Sequence, residues 1–284
     1  MESMNESFPI VDLCAALGVS RAGFYAWRDR GPSIRQEANA ALGEEIATVF
    51  TRSRHTYGSP RMVRALRRAG HGCGRHRVAR IMRARRLVGR RRGRRRVGTT
   101  DSDHAEPIAP NRLRLRASPP TRPDEVWAAD ITYVPTAEGW MYLAGVLDLH
   151  TRRLVGWSMG EGLETALPMR ALQMALLHRR PAAGLLHHSD RGCQYASEAY
   201  RDQLAAWGVT PSMSRRANCY DNAAMESFWA TLKEELVSRQ RFETRVQAGA
   251  AIFDFIETFY NRERLHSALG YLSPVEFENQ NQLN

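Results

Sequence analysis

Lysine is all but missing from this chain of 284 residues. Lys233 stands alone, and arginine supplies the rest of its 41 basic positions. Such a bias follows genomic base composition as much as function, so the placement of the charge says more than the residue that provides it. Long apolar runs are missing too. No stretch approaches the roughly 18 residues needed to cross a bilayer. The opening residues, MESMNESFPIVDL, lack the basic start and apolar stretch of a signal peptide. The expectation is a cytosolic protein. Cysteine is sparse: Cys14, Cys73, Cys193 and Cys219 form no C-x-x-C pair and sit near no histidine at zinc-ligand spacing. Four reduced thiols are expected, which argues against a disulfide framework or a zinc module. No internal repeat of fixed period is present.

The charge is plentiful and unevenly placed. The net charge is +11. Residues 1–120 hold 25 arginines against 10 acids, whereas residues 121–284 hold 16 basic residues against 20 acids. A positive field confined to one part of a chain suits a polyanion, because neutralising phosphates releases condensed counterions. The acid-rich remainder makes sense if cations complete it.

The first part reads as helices. LCAALGVSRAGFYAWR places Gly18 at a turn and Ser20 at a helix cap, the pattern of a helix-turn-helix. A plain helical hairpin without DNA contact is the alternative. A second candidate starts at Ser59-Pro60, with Met62, Val63, Leu66 and Ala69 on one face and Arg61 and Arg64 on others. It continues through a helix near 75–87 that carries Arg77. The tract that follows, with Arg90, Arg91 and Arg92, reads as a solvated arm able to lie along DNA phosphates. These give a helical, DNA-binding region over 1–97, with residues 98–124 as a Pro-, Asp-, Ser- and Thr-rich linker.

From Glu125 the pattern changes. VWAADITYV, WMYLAGVLDL and RLVGWSM are close β-runs with short connections, which predicts an antiparallel meander. A helix over 165–179, a strand ending at Ser189, a helix over 197–207, a strand over 209–213 and a long helix over 221–237 follow. That order predicts an α/β, ribonuclease-H-like core with a mixed five-stranded sheet over 125–238. A helix near 244–262 begins a C-terminal extension, 239–284.

Three acids occupy unusual places. Asp130 lies inside the first strand, where a charge is costly unless paired or metal-bound. Asp190 follows a later strand. Glu226 falls in the first turns of the long helix, with 35 residues between it and Asp190. Phosphodiester chemistry needs an activated oxygen and a stabilised leaving oxygen, which two divalent cations held by carboxylates supply. No covalent protein intermediate is needed, so the lack of a serine or tyrosine nucleophile motif is no obstacle. Asn222 and Lys233 fall near the helical stripe of Glu226, and Arg191 adjoins Asp190, which makes all three candidates for holding DNA. Singly, each acid has a plain structural explanation; Asp148 and Asp221 are competing ligands, the latter better read as a helix cap. His187 and His188 point to opposite faces of a strand and cannot easily share an ion.

WAADITYV, VLDLHTRRLVGWSM, HHSDRGCQYAS, NCYDNAAMESFWATLKEEL and FYNRERLHSALGYLSPVEFE occur in this order. Together they resemble the integrase-type core of bacterial insertion-sequence transposases of the OrfB type of the IS-three group. YGSPRMVRALRRAG resembles the helix-turn-helix that precedes that core. The resemblance implies a DDE-type transposase with Asp130, Asp190 and Glu226 as the catalytic, metal-holding triad, and Mg²⁺ or Mn²⁺, two ions, as cofactor. It also implies a homo-oligomer assembled on terminal inverted repeats and target DNA, and an upstream OrfA product or fusion as partner. Asp130 and Asp190 would then share the ion that activates water or a DNA 3′-hydroxyl, and Asp130 and Glu226 the other. The competing expectations are a non-catalytic, DNA-binding regulator that occupies element ends, and a nuclease acting on RNA–DNA hybrids.

Overall fold

The computed structural model describes residues 8–89, 106–215 and 222–282. The tract with Arg90, Arg91 and Arg92, together with Asp221 and Cys219, lies outside these. Helices α1 (Ile10–Ala16) and α2 (Arg21–Arg28) flank Gly18, whose φ of 65° turns the chain, and Ser20 Oγ accepts from the Gly23 N–H at α2. Helix α3 (Ile34–Arg52) begins with a capping box in which Ser33 and Gln36 satisfy each other's backbone N–H groups. Helices α4 (Ser59–Arg68) and α5 (Arg75–Ala84) pack on α3 through Ile46, Phe50, Met62, Leu66, Val78 and Met82. The cap of α4 is Gly58, one residue ahead of the expected Ser59, with proline in the first turn as read.

The second unit is a five-stranded mixed sheet, β1 (Val126–Thr136), β2 (Gly139–Asp148), β3 (Leu154–Gly160), β4 (Leu186–Ser189) and β5 (Thr210–Met213), in the order β3-β2-β1-β4-β5. The first three strands are an antiparallel meander, and β4 and β5 continue the sheet in parallel with β1. This is the expected ribonuclease-H-like arrangement. Alternation along β1 divides the core. Trp127 and Ala129 pack under helices α6 (Ala166–Arg179), α7 (Cys193–Ala196) and α8 (Glu198–Ala206), whereas Ala128 and Val134 pack under α9 (Ala223–Glu235) and α10 (Arg245–Asp254). Helix α6 lies close against β3. A Cβ at Gly156 would stand 2.2 Å from the Ala171 carbonyl oxygen and 2.7 Å from the Ala175 backbone nitrogen. Gly156→Ala is expected to push α6 off the sheet and cost about 2–3 kcal/mol, read as a drop of several degrees in Tm.

The C-terminal segment departs from a single helix over 244–262. Helix α10 gives way to a π-helical stretch, Phe255–Tyr260, which puts Phe255, Phe259 and Tyr260 into the core. Asn261 then acts as a strand surrogate: its Oδ1 accepts from the Leu154 N–H and its Nδ2 donates to the Leu154 carbonyl, both at 3.0 Å. A last helix, α11 (Pro274–Gln282), is unpredicted; its Glu278 pairs with Arg153 and Arg179. No helix among the described residues is long and apolar enough to cross a membrane.

Candidate active site

The sheet brings Asp130 and Asp190 side by side. β1 and β4 run parallel with Val126 opposite Leu186, Trp127 opposite His187 and Ala128 opposite His188. Continued by two residues, that register sets Asp190 beside Asp130 and on the same face. Asp190 lies just past β4, where its Oδ1 accepts from the Gly192 N–H at 3.0 Å.

Helix α9 crosses this face and is fastened to β1 along one stripe. Asn222 Nδ2 donates to the Ala129 carbonyl at 3.3 Å, Trp229 Nε1 donates to Asp130 Oδ2 at 3.1 Å, and Lys233 Nζ stands 4.8 Å over the Tyr133 ring. Residues four, three and four apart share a helix face, so Glu226, between Asn222 and Trp229, belongs to that stripe. Trp229 reaches Asp130 because the residue opposite Asp130 on β2 is Gly145. A Cβ there would sit 2.9 Å from the indole ring.

The electrostatics follow from this proximity. Burial pushes the Asp130 carboxyl up to about 7; the negative charges of Asp190 and, more weakly, Glu226 push the same way. The Ile131 N–H and the Trp229 indole N–H oppose the rise by bonding to the ionised form. Burial lowers the Lys233 ammonium, and the charge of Asp130 counteracts that. Glu226 is exposed, whereas Asp130 and Asp190 are half-buried. Among the described residues no three His, Cys, Asp or Glu side chains are drawn tightly enough to cage an ion. The trio is two facing aspartates with a glutamate on the rim. Trp229→Phe keeps the ring and removes the donor to Asp130. Losing a hydrogen bond to a charged group should move the acidic limb of a pH–activity profile upward by about one unit.

Other candidates have different places. Asn222 is buried, its Nδ2 spent on Ala129, so the amide fastens α9 to β1. Arg191 Nε donates to the Ser214 carbonyl at 2.8 Å and ties the loop after β4 to the end of β5. Arg61 pairs with Glu235 at 3.7 Å, the Arg64 guanidinium lies 5.0 Å over the Tyr271 ring, and Arg77 bonds Asn39 Oδ1 and the Ala38 carbonyl. These contacts hold the flank of α4 against α9 and the C-terminal segment and join α5 to α3; Arg61 and Arg77 are half-buried in them, whereas Arg64 stays exposed. Asp148 accepts from the N–H groups of Asp124, His150 and Thr151 and organises the turn between β2 and β3, which removes it as a ligand. His187 meets the Tyr200 hydroxyl and His188 the Ser212 hydroxyl, each at its own side of β4; burial lowers His187 to about 3 and keeps it neutral. Cys14, Cys73 and Cys193 are free thiols.

Sequence reasoning missed the role of YNRERLHSALGYLSP. Arg264 makes a two-pronged pair with Glu235 of α9, both bonds 2.7 Å, with the two side chains only 5% and 7% exposed. The Tyr57 hydroxyl accepts from the Leu265 N–H at 2.8 Å, and Leu265 itself joins the helical core of α3–α5. Arg68 pairs with Glu276. The segment therefore links the helix-turn-helix to the helix that bears Glu226.

Known proteins resemble the chain along its whole length. Models of an integrase core domain match residues 120–219 and 226–282, and a model of an HTH-like domain matches 36–95. The insertion element IS600 uncharacterized 31 kDa protein of Shigella sonnei is 47% identical over 265 residues, 93% of this chain and 97% of that one. The transposase InsF for insertion sequence IS3A of Escherichia coli strain K12 is 39% identical over 286 residues, 99% and 98% of the two chains. Among solved structures, the intasome of simian T-cell lymphotropic virus aligns at 12% identity and a TM-score of 0.48, covering 82% of this chain and 74% of that one, an overlap too loose to bear on the chemistry. The extent of the match to the insertion-sequence relatives decides the family: the chain belongs to the OrfB-type transposases of IS3, and is a DNA transposase of the DDE, integrase-core type that cleaves and transfers DNA strands.

Proposed function

We propose that Asp130, Asp190 and Glu226 carry the strand cleavage and transfer, holding Mg²⁺ or Mn²⁺, two ions in all. The observation that carries this reading is the parallel register of β1 and β4, which sets Asp190 beside Asp130 under the helix that bears Glu226; burial and the charges of the other two acids raise the Asp130 carboxyl accordingly. Such a cluster is a poor place for three bare carboxylates and a good one for hard divalent cations, which take oxygen donors. Glu226, exposed in the first turn of α9, has room to turn toward the aspartates. When bound, the ions would supply an activated oxygen nucleophile and charge stabilisation on the leaving oxygen. The chain's own residues do the positioning. Trp229 fixes the orientation of Asp130, Gly192 that of Asp190, and Asn222 the start of α9. Lys233, beside Tyr133 and within reach of Asp130, is set to meet a DNA phosphate at the edge of the acids.

The DNA partners are the terminal inverted repeats of the element and a target duplex, engaged by a homo-oligomer, with an OrfA product or fusion supplying further end recognition. The helical unit over 1–97, the linker over 98–124, the core over 125–238 and the extension over 239–284 are the proposed divisions of labour. The test is incubation of end-containing DNA with the protein and Mg²⁺. Nicks at the element ends and joined strand-transfer products are expected. Binding without cleavage would favour the regulator, and cleavage confined to the RNA strand of hybrids would favour the nuclease.

A further inference from the structure

A cavity of about 780 Å³ opens on the flank of α9, between the linker, the turn after β2 and the C-terminal segment. It has three unusual features. The described residues that line it include three arginines, Arg61, Arg152 and Arg264, and no carboxylate. Arg61 and Arg264 lean on Glu235 behind the wall, whereas Arg152 makes no ion pair among the described residues. Three of the residues in its wall also carry buried polar atoms without partners, His150 Nε2, His266 Nε2 and Asn222 Oδ1. Burial, with the positive charges of Arg264, Arg61 and Arg152, keeps His266 neutral. Finally, aromatic surface faces inward from Phe277 and Tyr260, with His150 tilted against Phe277 at 5.2 Å.

Unpartnered buried polar atoms call for an occupant with its own donors and acceptors. An arginine without an ion pair, Arg152, calls for an anion, and an aromatic wall for a flat ring. A nucleotide has all three: a phosphate, an edge of hydrogen-bonding groups and a π-face, and aromatic surface beside cations is how single strands are held. We infer that this cavity receives one unpaired nucleotide of the DNA substrate, its phosphate against Arg152 and its base toward Phe277. The inference rests on the proposed DNA-cleaving role of α9 and names a substrate contact for it. Asn222 joins the two places. Its Nδ2 holds the backbone beside Asp130 and its Oδ1 is buried without a partner in the cavity wall, so an occupant there bears on the turn that presents Glu226.

The test measures binding of full-length protein to an element-end duplex, blunt or with a three-nucleotide single-stranded tail carrying 2-aminopurine. With no divalent metal present, the result does not depend on the acids, and a failed cleavage assay would be a separate outcome. The tailed duplex should bind about tenfold more tightly than the blunt one, and the 2-aminopurine should be quenched on binding. Arg152→Gln should erase that advantage while blunt-duplex affinity and Tm stay unchanged. Ala268→Trp, which fills the cavity from its rim, should do the same. dAMP added as competitor should restore the 2-aminopurine signal. Equal wild-type affinity for tailed and blunt duplexes would overturn the proposal, as would a tail advantage that survives both variants. Tight dAMP binding without any tail advantage would overturn DNA as the source of the nucleotide.

Discussion

Asp130→Asn, Asp190→Asn and Glu226→Gln should each reduce metal-dependent nicking of element ends by about 10³-fold or more, while end binding persists. Each substitution keeps the side chain's size and removes the charge. If the lost charge stabilisation is worth about 4 kcal/mol in the transition state, the rate falls by roughly that factor. The three differ in stability. In the metal-free protein Asp130 holds its proton up to about pH 7, whereas in an unfolded chain it releases it near pH 4. Between those values the native state binds more protons, so stability falls as pH rises and the penalty is complete above pH 7. Asp130→Asn removes the penalty. The variant should be more stable than the wild type at pH 8, on the order of 1–3 kcal/mol, and no more stable near pH 4. A variant that loses activity yet gains stability at high pH is the signature of a site built at the expense of the fold. Glu226, exposed on the rim, should show no comparable gain.

Glu235→Gln should be the most destabilising conservative change where the core meets the extension. Glu235 and Arg264 are almost fully enclosed and bonded through both carboxylate oxygens. Neutralising one partner leaves the other charge buried, which costs about 3–5 kcal/mol. For a chain of this size that corresponds to a Tm lowered by roughly 5–15 °C. Replacing both, Glu235→Gln with Arg264→Met, should recover much of the loss, because a buried pair is worth less than the penalty of breaking it. The damage should spread beyond stability. Arg61 also leans on Glu235, and Leu265, next to Arg264, is held by Tyr57. Loss of the carboxylate therefore loosens the helical unit and the C-terminal end of α9 together.

The parts of this architecture that could be read in the sequence are those governed by local periodicity. The β-run from Val126 alternates and is rich in β-formers, those from Trp140 and Arg153 follow it after short connections, and β1, β2 and β3 match them closely. The acids stood out for the same reason: a charge inside an apolar strand and an acid at a strand end break the local pattern. What joins them is not local. The pairing of β1 with β4, which sets Asp190 beside Asp130, spans 60 residues and leaves no mark in either segment. Trp229 carries no cue to its role, because nothing in the helix shows that Gly145 opens a path for its indole N–H to Asp130.

The arginines of α4 show the opposite failure. Their helical faces could be read, but the partner of a face cannot. Arg61 and Arg64 read as a DNA surface because what they touch lies far along the chain, Glu235 of α9 for Arg61 and Tyr271 for Arg64, like the Arg68 contacts to Tyr271 and Glu276. Glu235 and Arg264 each look like ordinary solvated residues, and only their mutual burial shows otherwise. The π-helical stretch Phe255–Tyr260 has no cue of its own; it shifts the aromatic side chains so that Asn261 reaches β3.

The claim on which the account turns is that Asp130, Asp190 and Glu226 share a divalent cation. Anomalous diffraction from crystals soaked in Mn²⁺ tests it directly. The expected result is a manganese peak between the carboxylates of Asp130 and Asp190, with Glu226 turned in from the rim, and no such peak in Asp130→Asn crystals. Manganese bound elsewhere, or the two aspartates turned away from each other with the metal present, would contradict it.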